Sequence, residues 1–146
     1  MSRILAIDVG QKRIGLAVSD EAGLGATPLY TVQRSSTATD VAKIAKTAAA
    51  YAADRIIVGL PLDPEGRAGS QAQKVERFAA LLEQKVPVPV IRWDERLSTA
   101  EADQILIEAD MSRRKRKSII DAVAAARILE SYMREQERTR PRGDEG

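Results

Sequence analysis

At 146 residues, 44% hydrophobic and 30% charged, the chain is long enough for one domain with a real core and too short for two ordinary ones. It holds no cysteine and no histidine, which excludes disulfides, thiolate metal sites, Cys nucleophiles, Ser-His-Asp and Cys-His triads, and zinc-hydrolase sites of the HExxH kind. Any acid-base or metal chemistry therefore rests on carboxylates, hydroxyls, lysine, water and backbone, and the net charge of +2 matters only through its distribution.

The first predicted elements are the apolar runs Ile4 to Val9 and Ile14 to Val18, two strands joined by a tight turn around Gly10. The first run has no clean alternation, so its strand is expected to be central and covered on both faces. Asp8 stands where that strand should end, on the face of Ala6 and Ile4, and a carboxylate there is costly unless hydrated, paired or bound to a cation. Gly10 and Gly15 remove side-chain bulk nearby and allow close approach to the backbone. Glu21 to Gly25 is turn-like, and Leu29 to Val32, behind Pro28, predicts a third strand.

Thr37 to Asp40 has a hydroxyl cap with an acid three residues on, and Val41, Ile44, Ala45, Ala48, Ala49 and Ala52 follow at helical spacing. Ile56 to Val58 is a buried strand ending at Gly59; Pro61 to Gly69 is a loop. Ser70 and Gln73 have capping-box spacing before Val75, Phe78, Ala79 and Leu82, and Val88 to Trp93 predicts a fifth strand. Ser98 and Glu101 form another box ahead of Ala102, Ile105 and Leu106. Five cations, Arg113, Arg114, Lys115, Arg116 and Lys117, interrupt the pattern before a last helix from about Ser118 to Met133. With only Phe78, Trp93 and three tyrosines as aromatics, the core is aliphatic and rich in alanine. The order predicts an antiparallel opening meander followed by parallel strand-helix-strand crossovers, hence an α/β domain with a mixed sheet.

Two further acids have strand-end or helix-start positions comparable to that of Asp8. Glu95 follows Asp94 after the fifth strand, and Asp121 begins an apolar stripe continued by Ala125, Ile128 and Tyr132, which turns it toward the sheet. Ligands of open α/β sheets bind at such strand ends, and three converging carboxylates suit hard cations, Mg²⁺ or Mn²⁺. One or two ions there can serve phosphodiester hydrolysis. Bland roles compete: Asp121, three after Ser118, fits a capping box, and Glu95 fits an ion pair with Arg96 or a cap for the next helix. The run from Arg113 to Lys117 reads either as a solvated loop or as a phosphate-binding surface extended by Lys12, Arg13 and Arg67. No aromatics are interleaved with it, so it would grip the backbone and not stacked bases.

Together these residues resemble the YqgF/RuvX family of pre-16S rRNA nuclease and Holliday-junction-resolvase-like proteins. The resemblance rests on Ile7 to Gly15, Val58 to Leu62, Gln71 to Val75, Asp94 to Thr99 and Lys117 to Leu129, and spans about residues 3 to 133. It implies an RNase H-like fold over residues 1–134, a polar tail over 135–146, and a divalent-metal nuclease with Asp8, Glu95 and Asp121 at the family's acidic positions. It implies pre-rRNA or branched DNA as partner and a monomer or homodimer. A fourth acid, present in RuvC-type resolvases, has no obvious counterpart near Asp121; Asp63 is a loop candidate. Two other readings exist: an Asp-x-Gly-x-x-x-x-Gly phosphate loop of sugar-kinase or actin-like ATPases, which need two lobes that 146 residues cannot supply, and a non-catalytic nucleic-acid-binding factor. No apolar run reaches membrane-spanning length and the N-terminus lacks a signal-peptide core, so the expected compartment is cytoplasmic.

Overall fold

A computed structural model describes residues 3–20, 25–63, 65–95 and 113–139. Strands β1 (Arg3–Val9), β2 (Arg13–Ser19) and β3 (Ala26–Gln33) form the meander; α1 (Thr37–Ala50), β4 (Ala53–Leu60), α2 (Ser70–Lys85), β5 (Val90–Asp94) and α3 (Arg113–Thr139) follow. The five strands make one mixed sheet in the order β3-β2-β1-β4-β5. β1 pairs antiparallel with β2 and parallel with β4, and β4 pairs parallel with β5. The helix predicted to follow Ser98 lies outside the described residues. Among those described, no helix is long and apolar enough to cross a membrane.

The unbroken apolar run of β1 has the burial it requires. Leu5, Ile7 and Val9 pack with Val41, Ile44 and Ala48 of α1 and with Val75, Phe78, Ala79 and Leu82 of α2. On the other face Ala6 and Ile57 pack under Ile128, Leu129 and Tyr132 of α3, and Ala17 under Ala125 and Ala126. Alanines in α3 let it lie close on the sheet, which is how a core with few aromatics closes. Each fully buried Leu, Ile or Val contributes about 1.5–3 kcal/mol of transfer free energy.

Element boundaries shift for local reasons. β3 runs through Pro28, tolerated on an edge strand, with a register slip opposite Leu16 and Ala17. β5 starts only after Pro89. Ser36, one residue earlier than expected, caps α1 by accepting a hydrogen bond from the Thr39 N–H at 3.1 Å. The box expected at Ser70 and Gln73 does not form; Gly69 is the N-cap of α2, without a side-chain hydrogen bond. The five cations do not interrupt the last helix but begin it, since arginine and lysine are good helix formers. Asp121 consequently lies more than two turns inside α3 and is not a capping acid. α3 also continues to Thr139, past the Met133 end that the apolar spacing suggests.

Asp40 fixes the start of α1. Its fully buried carboxylate accepts from Arg34 Nε at 2.8 Å, from Ser35 N at 3.2 Å and from Ser35 Oγ at 3.1 Å. Burial pushes this carboxyl up, but the hydrogen bonds from Arg34 and Ser35 outweigh it and hold the group below its ordinary value. Its ionised form therefore stabilises the fold above the ordinary aspartate range, and that contribution disappears as pH falls through the lowered pKa. Asp40→Asn is expected to cost about 2 kcal/mol at neutral pH. Urea melts should show the gap to wild type narrowing in acid; a gap independent of pH would remove the charge from the explanation.

Candidate active site

The site grows from the period-two geometry of three neighbouring strands. Ala6 and Asp8 of β1 face α3, as do Ile57 and Gly59 of β4 and Ile91 and Trp93 of β5. Glu95 comes two residues after Trp93, and so projects to the same side. On the other flank Gly15 of β2 lies directly opposite Asp8. The carboxylate of Asp8 thus stands in a row between two residues without side chains.

Both gaps are filled. A Cβ on Gly15 would come within 1.9 Å of the Asp121 carbonyl oxygen and 2.9 Å of the Ala122 nitrogen, so the backbone of α3 sits directly on β2. A Cβ on Gly59 would come within 2.7 Å of Glu95 Oε1 and 2.4 Å of Ile128 Cδ1. Glu95 reaches over Gly59 and shares a side-chain hydrogen bond with Asp8. Gly15 is a steric requirement, since what lies over it is the backbone of α3, whereas Gly59 leaves the room that the side chains of Glu95 and Ile128 take up.

The electrostatics follow from this crowding. Burial, then the hydrogen bond and charge of Asp8, push the Glu95 carboxyl from an ordinary 4.5 up to about 8, against the attraction of Arg127. Asp8 is also raised, chiefly by burial and further by the charge of Asp121, while its hydrogen bond to Glu95 and the charge of Arg127 oppose the rise. Two carboxyls this close and this desolvated share a proton. Asp121 is near enough for its charge to be felt at Asp8, but its carboxylate accepts from Arg13 Nε, both side chains being less than one-third exposed. Among the described residues no three carboxylates gather into a ready-made metal cage.

Of the three acids, Asp8 and Glu95 are in contact, while Asp121 stays at the margin, held by Arg13 and felt at Asp8 only through its charge. Arg13 is engaged with an acid, whereas Lys12 is exposed on the β1–β2 turn. Asp63 and Arg67 are not part of the cluster: Asp63 accepts from the backbone N–H groups of Glu65 and Arg67 at 3.0 and 2.8 Å and from Arg67 Nε at 3.3 Å, which staples its own loop. The run from Arg113 to Lys117 occupies the first turns of α3, N-terminal to Asp121. Sequence reasoning missed Arg127, although one arginine inside the apolar stripe from Ala122 to Tyr132 was the available signal. It also took Gly59 for a strand terminator. Trp93 lies beside the site, its Nε1 donating to Ser131 Oγ at 3.0 Å and its ring edge-on to Tyr132 at 5.3 Å.

Because the Asp8–Glu95 pair takes up a proton on folding, the metal-free protein is expected to lose stability as pH rises from about 4.5 toward 8, the window set by Glu95. Glu95→Gln, which mimics the protonated acid, should flatten the profile in EDTA and melt above wild type at pH 8. Parallel pH profiles for the two proteins would overturn the shared-proton assignment.

Comparison with known proteins agrees with this architecture. The RuvX family, described as Holliday junction resolvase, matches residues 2–135. A protein of Syntrophus aciditrophicus named "Putative pre-16S rRNA nuclease" is 47% identical over 131 residues, covering 90% of this chain and 87% of that one. Its namesake in Thermoanaerobacter pseudethanolicus is 47% identical over 135 residues, covering 92% and 97%. Among solved structures, T. thermophilus RuvC in complex with a Holliday junction substrate superposes with a TM-score of 0.60 at 15% identity, covering 94% of this chain and 96% of RuvC. The fowlpox virus resolvase bound to Holliday junction DNA gives 0.58 at 14%, covering 92% and 98%. At those identities the structures establish the RNase H-like fold. The sequence matches establish more: the chain belongs to the RuvX family, a family of nucleases.

Proposed function

We propose that this chain hydrolyses phosphodiester bonds in structured nucleic acid with the help of a divalent cation, Mg²⁺ or Mn²⁺, held by Asp8, Glu95 and Asp121. The observation that carries the reading is the Asp8–Glu95 contact across Gly59, two desolvated carboxyls at the end of parallel strands. The donor set fits a hard cation: it is all oxygen and carries excess negative charge when its shared proton leaves. Such a cation supplies Lewis acidity where charge builds on the phosphate and favours the hydroxide form of the attacking water. Arg127 keeps compensating positive charge beside the pair, and Arg13 orients Asp121.

The relatives' names favour processing of pre-16S rRNA, and the neighbours' fold favours branched DNA. The proposed substrate class is one that both share, a structured nucleic acid gripped by its backbone. The protein would work in the cytoplasm as a monomer or homodimer, through one domain over residues 1–134. A second reading, a non-catalytic binding factor, draws on the Arg13–Asp121 ion pair, which already neutralises the third acid.

A cleavage panel of pre-rRNA, single-stranded RNA, duplex DNA and four-way junctions separates these readings. Asp8→Asn is expected to keep fold and nucleic-acid binding and to lose cleavage by about 10³-fold, the several kcal/mol that the cation supplies. Trp93 fluorescence should respond saturably to Mn²⁺ in wild type and not in Asp8→Asn. Near-normal cleavage by the folded variant refutes the assignment. Binding without cleavage of any substrate by wild type favours the binding factor.

Replacing Arg114, Lys115 and Arg116 by alanine tests the basic turns of α3. Alanine preserves the helix, and three lost phosphate contacts should reduce the slope of log affinity against log salt by roughly 2 on single strands. The effect should be similar across sequences, because phosphate contacts carry no base information. An unchanged slope retires this segment as a binding surface.

A further inference from the structure

On the face of the sheet opposite Asp8, a cavity of about 520 Å³ opens where β1 ends, between the N-terminal ends of α1 and α2. Residues 71, 74, 75, 78 and 81 line it from α2, the spacing of one helix face. That face is sorted by charge. The acids of α2 are turned away toward β5, where Glu76 and Glu83 pair with Arg92 at 2.8 and 3.0 Å. Lys74 and Arg77 stand on the cavity side, exposed and, among the described residues, without an ion pair.

Among the described residues, no aspartate or glutamate lines the cavity. Arg34 also stands at its wall, its charge matched by Asp40 and its position fixed by the Gly10 carbonyl at 2.9 Å and the face of Phe78 at 5.4 Å. Gln11 and Gln71 stand at the rim, linked to each other at 3.4 Å, and offer amide groups. α2 has no side-chain cap, so its N–H groups add a partial positive charge at the same end. Ser35 and Thr37 line the side toward α1, and the wall on α2 is apolar: Val75 and Phe78 form it, and Leu81, one of two large hydrophobic residues exposed among those described, extends it outward. A cationic end joined to an apolar wall fits a nucleotide, its phosphate at Lys74 and Arg77 and its base against Leu81.

We propose that this cavity holds a phosphate and its attached nucleoside from the strand flanking the scissile bond. Asp8 and Val9 are consecutive, one facing each side of the sheet, so a strand passing over the β1–β2 turn reaches both places. The proposal rests on the nuclease reading for the identity of the ligand. Its cationic cavity would still bind phosphate if the acids proved inert.

The test is anisotropy of a 12-nucleotide single-stranded RNA, with 5′-phosphate or 5′-hydroxyl, titrated at several salt concentrations in EDTA. Lys74→Ala with Arg77→Ala should weaken binding and reduce the salt slope by about 1.4, two contacts at about 0.7 each. The glutamine pair at the same positions provides a second variant should the alanine pair misfold. Equal loss for both RNAs identifies an internal backbone phosphate. Loss confined to the 5′-phosphorylated RNA identifies a terminal phosphate, the same chemistry from another source. An unchanged slope with both RNAs in folded protein overturns the proposal. Asp8→Asn run alongside separates the two readings, since cleavage by that variant sinks the acid site while leaving the slope measurement intact.

Discussion

The structure depends on a row of three residues across the sheet, Gly15, Asp8 and Gly59. A carboxylate on a buried strand face is unfavourable unless other groups solvate it. The two glycines open the space through which those groups arrive. The α3 backbone comes in over Gly15 and brings Asp121 and, further along, Arg127; Glu95 comes in over Gly59. A methyl group at either position would require atoms to shift from separations no real Cβ shows. Site and fold are thus one constraint: the helix that covers the core on this face is the helix that delivers the third acid.

Much of this was legible in the sequence because β1 is its clearest signal. An unbroken apolar run predicts burial on both faces, and an aspartate at its end predicts an exception needing a partner. Gly15 was readable as a place of close approach. Gly59 was not, because a glycine closing a strand run carries a plausible ending role that hides a steric one. Spacing also misplaced the start of α3: five cations look like a break when hydropathy is the guide, although their helix propensity is high. Arg127 was lost in the same way, since periodicity arguments score apolar positions and pass over a charged residue among them. The ion pair of Arg13 with Asp121 joins residues 108 positions apart, beyond any local pattern.

Two Arg–Asp pairs show how burial assigns different work to the same chemistry. Asp40 is completely buried, with its oxygens taken by Arg34 and Ser35, which favour its ionised form. Removing one partner there leaves an uncompensated charge, so the pair is committed to structure. Asp121 is 28% exposed and pairs with Arg13, itself 29% exposed, at the edge of a polar cluster. Water can replace that guanidinium at modest cost, as for other partly exposed pairs. Asp121 can therefore exchange partners when a cation or a phosphate enters, whereas Asp40 cannot.

The charge balance of the cluster points the same way. Asp8, Glu95 and Asp121 face two guanidiniums, Arg13 and Arg127, which leaves one negative charge in excess when all three acids are ionised. A proton shared by Asp8 and Glu95 restores neutrality, in keeping with a Glu95 carboxyl that burial, and then the hydrogen bond and charge of Asp8, push up to about 8. A group that displaces that proton has to bring at least one positive charge and accept oxygen donors at short range. On the proposed reading a hard divalent cation would do both, and would supply surplus positive charge to a substrate phosphate. A neutral amide at one of the acid positions would bring the cluster to neutrality too, but it would leave no excess carboxylate to draw in a cation. The excess carboxylate is thus what makes the site receptive.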